Sequence, residues 1–311
     1  MVVRETLETL AKSPGLKTAA SSNPVGRRVI SHFVAGEEAA SAISVTSDLA
    51  SQGTYATLDR LGPEGAITID DAATTTLALL DVLAQMEAAD VADRADITLR
   101  LSDVGLDLPG DGIDIATQNA LRIAQEADRV GSMITLDQGD HETIDDTLTV
   151  FRALHKQFPQ TGVTVAAQYR RTEADLKELV GPDVRIRLVK GGFAEDGEHT
   201  WPTEKDTDLA FVRCLKLLMR SEAYPMVGTH DPRLIEITGA VAIRADRKPS
   251  SFEYQMFYGV RLDEQRRLAS RGDRVRVRVP FGPEWYPFFA RRLAERPQNV
   301  GLFVKALAAR D

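Results

Sequence analysis

"RVRVRVPFG", residues 274–282, alternates arginine with valine and ends on proline and glycine. Side chains on a strand alternate between its two faces, so Arg274, Arg276 and Arg278 share one face and Val275, Val277 and Val279 the other. The arginine face either meets water or surrounds something negative, and the choice depends on where the strand sits in the fold. Seven earlier runs have the same strand-like character: "TYATLDRLG" (54–62), "DITLRLSDVG" (96–105), "SMITLDQGD" (132–140), "GVTVAAQ" (162–168), "VRIRLVKGG" (184–192), "YPMVGTHD" (224–231) and "FEYQMFYG" (252–259). Between them lie segments of helical period, among them "DDAATTTLALLDVLAQMEAADV" and "DIATQNALRIAQEADRV". "TIDDTLTVFRALHKQF" and "TEADLKELV" open on Thr or Asp as candidate caps. Eight strand–helix alternations in about 260 residues fit an α/β chain folded as a distorted (β/α)8 TIM barrel. A doubly wound sheet alternates too, but no G-x-G-x-x-G turn follows any of these strands. The expected division is an N-terminal helical segment, 1–45, packing against a barrel domain, 46–311.

The composition narrows the function. With 43% hydrophobic and 27% charged residues the chain reads as soluble and globular. A net charge of −8 argues against nucleic acid as the partner. One cysteine, Cys214, excludes an intramolecular disulfide framework and suits a reducing cytoplasm. The apolar runs are too short to span a bilayer, and "MVVRETLETLAKSPG" lacks a signal-peptide hydrophobic region, so any membrane contact is expected to be peripheral.

Active sites of barrels lie at the C-terminal ends of the strands. There the sequence places Arg100, Asp137, Gln168, Lys190, His230 and Arg278. Lys190, in "RLVKGG", has several readings: an anion partner, a Schiff-base nucleophile if desolvated, or part of a plain turn with Gly191 and Gly192. His230 is either a ligand or proton-transfer group or a structural histidine. No other histidine stands at a metal-ligand spacing from it, so no metal is expected. Asp137 either orients a cation or caps the next helix. Arg291 and Arg292 diverge by about 100° on a helix, so they share a ligand only where the helix end faces the site. The alternative for them is a solvated face, although the apolar "WYPFF" just upstream favours burial and hence anionic partners.

As a set, "RLVKGG", "YPMVGTHD", "FEYQMFYG", "EQRRLA", "VPFG" and "WYPFFARRLAERPQN" resemble the proline dehydrogenase family, from about residue 30 to the C-terminus and most closely over 184–300. The resemblance implies a distorted (β/α)8 barrel carrying FAD. It implies oxidation of L-proline to 1-pyrroline-5-carboxylate by hydride transfer to flavin N5. Arg291 and Arg292 match the pair that binds the substrate carboxylate, supported by Glu295. Arg187 matches the arginine near N5, and Asp137 the active-site aspartate. Gln138, Gln168, Val189, Lys190, Gly191, Gly192, Thr229 and His230 fall on cofactor-contacting segments. The resemblance further implies a membrane quinone as electron acceptor at the inner face of the cell membrane, and a pyrroline-5-carboxylate dehydrogenase as pathway partner.

Several positions depart from the family pattern. Arg100 replaces a lysine and Arg278 a tyrosine at the substrate pocket. Ala166 stands where a flavin-contacting glutamine is expected, Phe193 replaces an aromatic of "KGAY", Phe257 replaces a leucine, and "DQGD" replaces "DAED". With Arg291 and Arg292, the pocket would hold four guanidiniums against Asp137, Glu295 and one substrate carboxylate. An unpaired buried guanidinium costs several kcal/mol. The expectation is therefore that Arg278 meets a protein carboxylate, or that the chain is a divergent paralogue whose substrate carries a second anion. A Schiff-base lyase using Lys190 and a member that has lost turnover are the competing readings. Arg276 is expected to lie deeper on the same side as Arg278, and Arg274 to be solvated.

Overall fold

In a computed structural model describing residues 30–63, 65–191 and 197–288, eight parallel strands close into a barrel in sequence order. The strands are β1 Tyr55–Arg60, β2 Ala95–Leu99, β3 Met133–Leu136, β4 Gly162–Ala166, β5 Arg185–Val189, β6 Tyr224–Gly228, β7 Glu253–Phe257 and β8 Val275–Phe281. Seven fall inside the strand-like runs, and β2 starts one residue ahead of its run, at Ala95. The barrel closes where β8 pairs with β1, from Tyr55↔Arg276 to Arg60↔Phe281. The helices are α1 Ala39–Ser51, α2 Ile69–Ala88, α3 Gly112–Arg129, α4 Ile144–His155, α5 Thr172–Leu179, α6 Glu204–Arg220, α7 Pro232–Arg244 and α8 Leu262–Ser270. Residues 1–29 of the expected N-terminal segment lie outside the described residues. No described helix is long and apolar enough to cross a membrane.

The main core lies between the barrel's outer face and the helices. Leu58, Ile97, Ile134, Ile186, Leu188, Val277 and Val279 are buried there with Leu83, Met86, Ile123, Phe151 and Leu215. These are the apolar members of each strand's period of two, and the helical stripes cover them. The polar members turn inward. Barrel interiors of this fold are usually filled by branched apolar side chains. This one is filled by Thr57, Asp96, Thr135, Arg187, Glu253, Gln255 and Arg276, all buried and joined by hydrogen bonds.

Helix starts follow local chemistry, though not always at the expected residue. Thr68 and Asp71 form a reciprocal capping box on α2, and Asp231 caps α7 ahead of Pro232. The turn before α4 is capped by Asp140, which accepts from the Thr143 N–H, while Thr143 makes no side-chain cap. Thr172 is likewise no cap: its hydroxyl donates to the Ala166 carbonyl at 2.6 Å and ties α5 to the end of β4. Asp137 caps nothing and faces the barrel.

At the strand ends, residues 33–36 run against the exit of β8, with Ala35 N donating to Pro280 O and Gly282 N to Gly36 O, both at 2.9 Å. Phe33 and Val34 pack there with Leu61, Val260, Trp285, Tyr286 and Phe288, an apolar cluster beside the barrel mouth. Gly259, at φ +73°, permits this crossing, because a Cβ would sit 1.7 Å from the His32 carbonyl oxygen.

Candidate active site

The opening run resolves into three environments. Arg276 is 1% exposed and donates from Nε to Glu253 Oε1 at 2.7 Å, and from Nη1 to Ala56 O at 2.8 Å and Asp96 Oδ1 at 3.2 Å. Arg278, two residues nearer the mouth, donates from Nε to Asp59 Oδ2 at 2.8 Å and from Nη2 to Asp137 Oδ2 at 2.6 Å. Arg274 is not simply solvated. It is half-buried, donates to the Tyr224 hydroxyl at 3.0 Å and lies over the Tyr55 ring, 5.0 Å from its centroid. The two tyrosines begin β1 and β6 and close the barrel bottom around it.

From Arg276 a continuous chain of polar contacts climbs the barrel. Glu253 Oε1 also accepts from Gln255 Nε2 at 2.6 Å, and Gln255 Oε1 accepts from Arg187 Nε at 2.7 Å. Arg187 Nη1 donates to Thr98 Oγ1 at 3.2 Å and Asp137 Oδ1 at 3.3 Å. Asp137 then meets Arg278, Arg278 meets Asp59, and Asp59 Oδ1 accepts from Arg100 Nη1 at 3.4 Å. Arg100 finally donates from Nε to Asp103 at 2.9 Å and from Nη2 to the Arg60 carbonyl at 2.9 Å. Arg100, Asp137, Arg187 and Arg278, singled out in the sequence, are thus brought into one network. Asp59, Asp96, Asp103, Glu253 and Gln255 belong to it as well and carried no such reading.

The charges control one another. Burial would raise the Asp137 carboxyl, but Arg278 and Arg187 beside it hold it well below the usual carboxylate range. Burial would likewise raise Glu253, which Arg276 and Arg185 instead hold at about 2. For Arg278, burial is outweighed by Asp137 and Asp59, and for Arg100 by Asp59, Asp103 and Asp137, so both guanidiniums are raised. Arg187 goes the other way: burial outweighs Asp137 and lowers it. Its Nη2 is buried without a hydrogen-bond partner among the described residues. A buried, unanswered donor of this kind fits a ligand that brings an acceptor.

Around this mouth stand the remaining candidates. The Gln138 side chain accepts from the Ala166 N–H, and Gln168 N donates to Lys190 O at 2.8 Å. Val189 ends β5 half-buried. Gly191 takes φ +124°, and a Cβ there would lie 1.9 Å from Gln168 Oε1, so the chain passes tightly against that side chain. Lys190 Nζ lies 2.6 Å from Asp208 Oδ1 and 3.1 Å from Glu204 Oε1. Burial would lower its pKa, but those carboxylates raise it. A Schiff-base nucleophile needs a free, desolvated amine, and this ion-paired lysine speaks against the lyase reading. Thr229 Oγ1 accepts from the Asp231 N–H at 3.2 Å, and His230 Nε2 accepts from the Phe257 N–H at 2.9 Å, which places the ring proton on Nδ1. His230 stacks on Phe257, which in turn contacts Phe288 and lies under the Arg278 guanidinium at 5.5 Å. Gly192, Phe193, Arg291, Arg292 and Glu295 lie outside the described residues.

The sequence profile of the family described as "Proline dehydrogenase" matches residues 42–304. Proline dehydrogenase 1 of Bacillus subtilis subsp. natto is 31% identical over 97% of this chain and 95% of its own length. Proline dehydrogenase of Deinococcus radiodurans is 34% identical over 66% of each chain. Among solved structures, proline utilization A from Bdellovibrio bacteriovorus, inactivated by N-propargylglycine, superposes with a TM-score of 0.82 at 17% identity. It covers 89% of this chain, which spans 34% of that much longer one, a likeness of fold. With a barrel whose mouth gathers Arg100, Asp137, Arg187 and Arg278, and with relatives matched along nearly its whole length, this chain belongs to the proline dehydrogenase family.

Proposed function

We propose that the chain oxidises L-proline to 1-pyrroline-5-carboxylate with FAD held at the mouth of the barrel. The observation that carries this reading is the buried Arg187 Nη2, unanswered by any described residue and set beside an ionised Asp137. When bound, FAD supplies a two-electron acceptor for the hydride on the ring carbon beside the substrate nitrogen. Arg187 presents a fixed donor to the flavin, held by Gln255, Thr98 and Asp137. Gln138, Gln168, Val189, Lys190, Gly191, Gly192, Thr229 and His230 form the cradle. Arg291 and Arg292 take the substrate carboxylate, while Arg100 and Arg278 line the pocket.

Asp137 acts as a counterion rather than a base. Its oxygens accept from Thr164 at 3.1 Å, from Arg187 and from both Nη atoms of Arg278. In this reading the substrate gives up its ammonium proton, to water rather than to Asp137, before the hydride leaves, so that the nitrogen lone pair can form the new C=N bond. Electrons pass on to a quinone at a membrane surface, with the chain itself cytoplasmic. The product passes to a pyrroline-5-carboxylate dehydrogenase.

Anaerobic mixing of the FAD-loaded protein with L-proline tests the reading. The flavin absorbance should bleach fully, and Arg187→Lys should slow the bleaching about 100-fold, the usual effect of losing one preorganised donor. A flavin that L-proline leaves oxidised would refute it.

A further inference from the structure

We propose that Asp59 sets the charge the site accepts: by holding the guanidiniums of Arg100 and Arg278, it reserves the mouth for a cyclic amino acid with one carboxylate and turns away one with two. The inference rests on the reading above, that the mouth takes a cyclic amino acid. Arg100 and Arg278 are 33% and 18% exposed, within reach of a ligand, unlike Arg276 deeper in the barrel. Two such forks at a substrate pocket would ordinarily invite a second anion. Both are already engaged. Asp59, only 2% exposed, lies between them and accepts from Arg278 Nε at 2.8 Å and Arg100 Nη1 at 3.4 Å. Asp137 takes the other edge of Arg278, and Asp103 takes Arg100 Nε. Asp103 also supports the charge of the neighbouring Arg60, which burial lowers.

Among the described residues, Asp59, Asp103 and Asp137 thus share the guanidiniums of Arg100, Arg187 and Arg278 between them. A second substrate carboxylate would lose its water and find these two forks already engaged, with Asp59 and Asp137 in place to repel it. The geometry follows from the barrel seam. In the β1–β8 register Thr57 pairs with Arg278 and Asp59 with Pro280, so Asp59 stands one strand period further toward the mouth. From there its carboxylate reaches back to Arg278 and across to Arg100 at the end of β2. Phe257 covers one face of Arg278 and leaves its edges to the carboxylates.

Isothermal titration of the FAD-loaded full chain tests this, with tetrahydrofuran-2-carboxylate and tetrahydrofuran-2,5-dicarboxylate as probes whose ring oxygen prevents oxidation to an imine. Wild type should bind the monocarboxylate at least about tenfold more tightly. Asp59→Asn should shift the ratio toward the dicarboxylate by at least about tenfold, and adding Arg278→Gln should cancel that gain. The wild-type ratio stands as a test even if a variant fails to fold. Equal or tighter binding of the dicarboxylate to wild type, an unmoved ratio in Asp59→Asn, or a gain that survives Arg278→Gln each overturns the proposal. Correct discrimination by a protein whose flavin L-proline does not reduce would instead overturn the substrate reading and leave the role of Asp59 intact. Wild type that binds neither probe counts against both.

Discussion

Glu253 and Arg276 are side chains that usually stay at the surface, yet they are 0% and 1% exposed. Their burial is tolerable because each is met by hydrogen-bonded groups of opposite charge. Glu253 accepts from Arg276, Gln255 and the Tyr224 hydroxyl, and Arg276 also reaches Asp96 and a carbonyl. Asp96 in turn accepts from the hydroxyls of Thr57 and Thr135. A buried pair of this kind adds little net stability over an apolar pair of equal volume, but removing one partner strands the other in low dielectric. Glu253→Gln keeps the shape and most of the hydrogen bonds while deleting the charge. It should cost about 3–5 kcal/mol of unfolding free energy, read as a lower urea midpoint. It should also loosen Gln255 and through it Arg187, so FAD retention should fall in the same variant. A midpoint within error of wild type would show that Arg276 is satisfied by Asp96 alone.

At the scale of elements, all eight strands were legible because each is a short run of strand-forming residues, β-branched in most and aromatic in β7, bounded by turn residues and with mostly apolar outward members. Their inward members were legible only in β8, where arginine at every second position is hard to miss. The same period of two is present in Thr57–Asp59, Asp96–Thr98 and Glu253–Gln255, yet a single carboxylate in a strand looks the same as one in a turn. Asp59 gains its meaning from the register of β1 on β8, a pairing of residues far apart in the chain. For the same reason Arg278 could be expected to need a carboxylate before its partners could be named. The helix caps were misread more locally: Thr143 and Thr172 have the right chemistry, but Asp140 and the Ala166 carbonyl are better placed. The β5–α6 connection offers a test at this scale. Gly191 at φ +124° passes so close to Gln168 that Gly191→Ala must both strain the backbone and displace that side chain. Strain of about 1–3 kcal/mol should appear as weaker FAD binding by roughly tenfold or more, measured by flavin release on dialysis. The melting of FAD-free protein should change less, since Gly191 is exposed and outside the core. Undiminished FAD retention would place the cofactor away from this turn.

For the molecule as a whole, the polar chain from Arg276 to Asp103 takes the place of the apolar filling that usually stiffens a barrel. It ties β8, β7, β5, β1 and the ends of β2 and β3 together across the lumen, linking strands that share no backbone ladder, such as β1 with Asp137, just past β3, through Arg278. Such a filling makes the fold sensitive to acid in a defined direction. Glu253 is held at about 2 in the folded chain and Asp137 also well below its ordinary value, whereas in the unfolded chain they titrate near about 4.3 and 3.9. Below those values the unfolded chain binds more protons than the folded one, so stability falls as pH falls. The contribution is fully present above about pH 5 and drains away toward pH 2, by several kcal/mol in all. Urea midpoints measured from pH 7 to pH 3 should be flat down to about 5 and then drop. In Glu253→Gln the midpoint should start lower and fall less steeply, because one of the two titrating groups is gone. The drop should persist at high salt, since screening acts on surface pairs such as Arg129–Glu87 and reaches the barrel interior weakly. Midpoints that hold steady to pH 3 would mean that the fold does not lower these carboxyls below their unfolded values, and midpoints that rise as pH falls would mean that they are protonated in the fold, the network then being a set of neutral hydrogen bonds rather than an ionic filling.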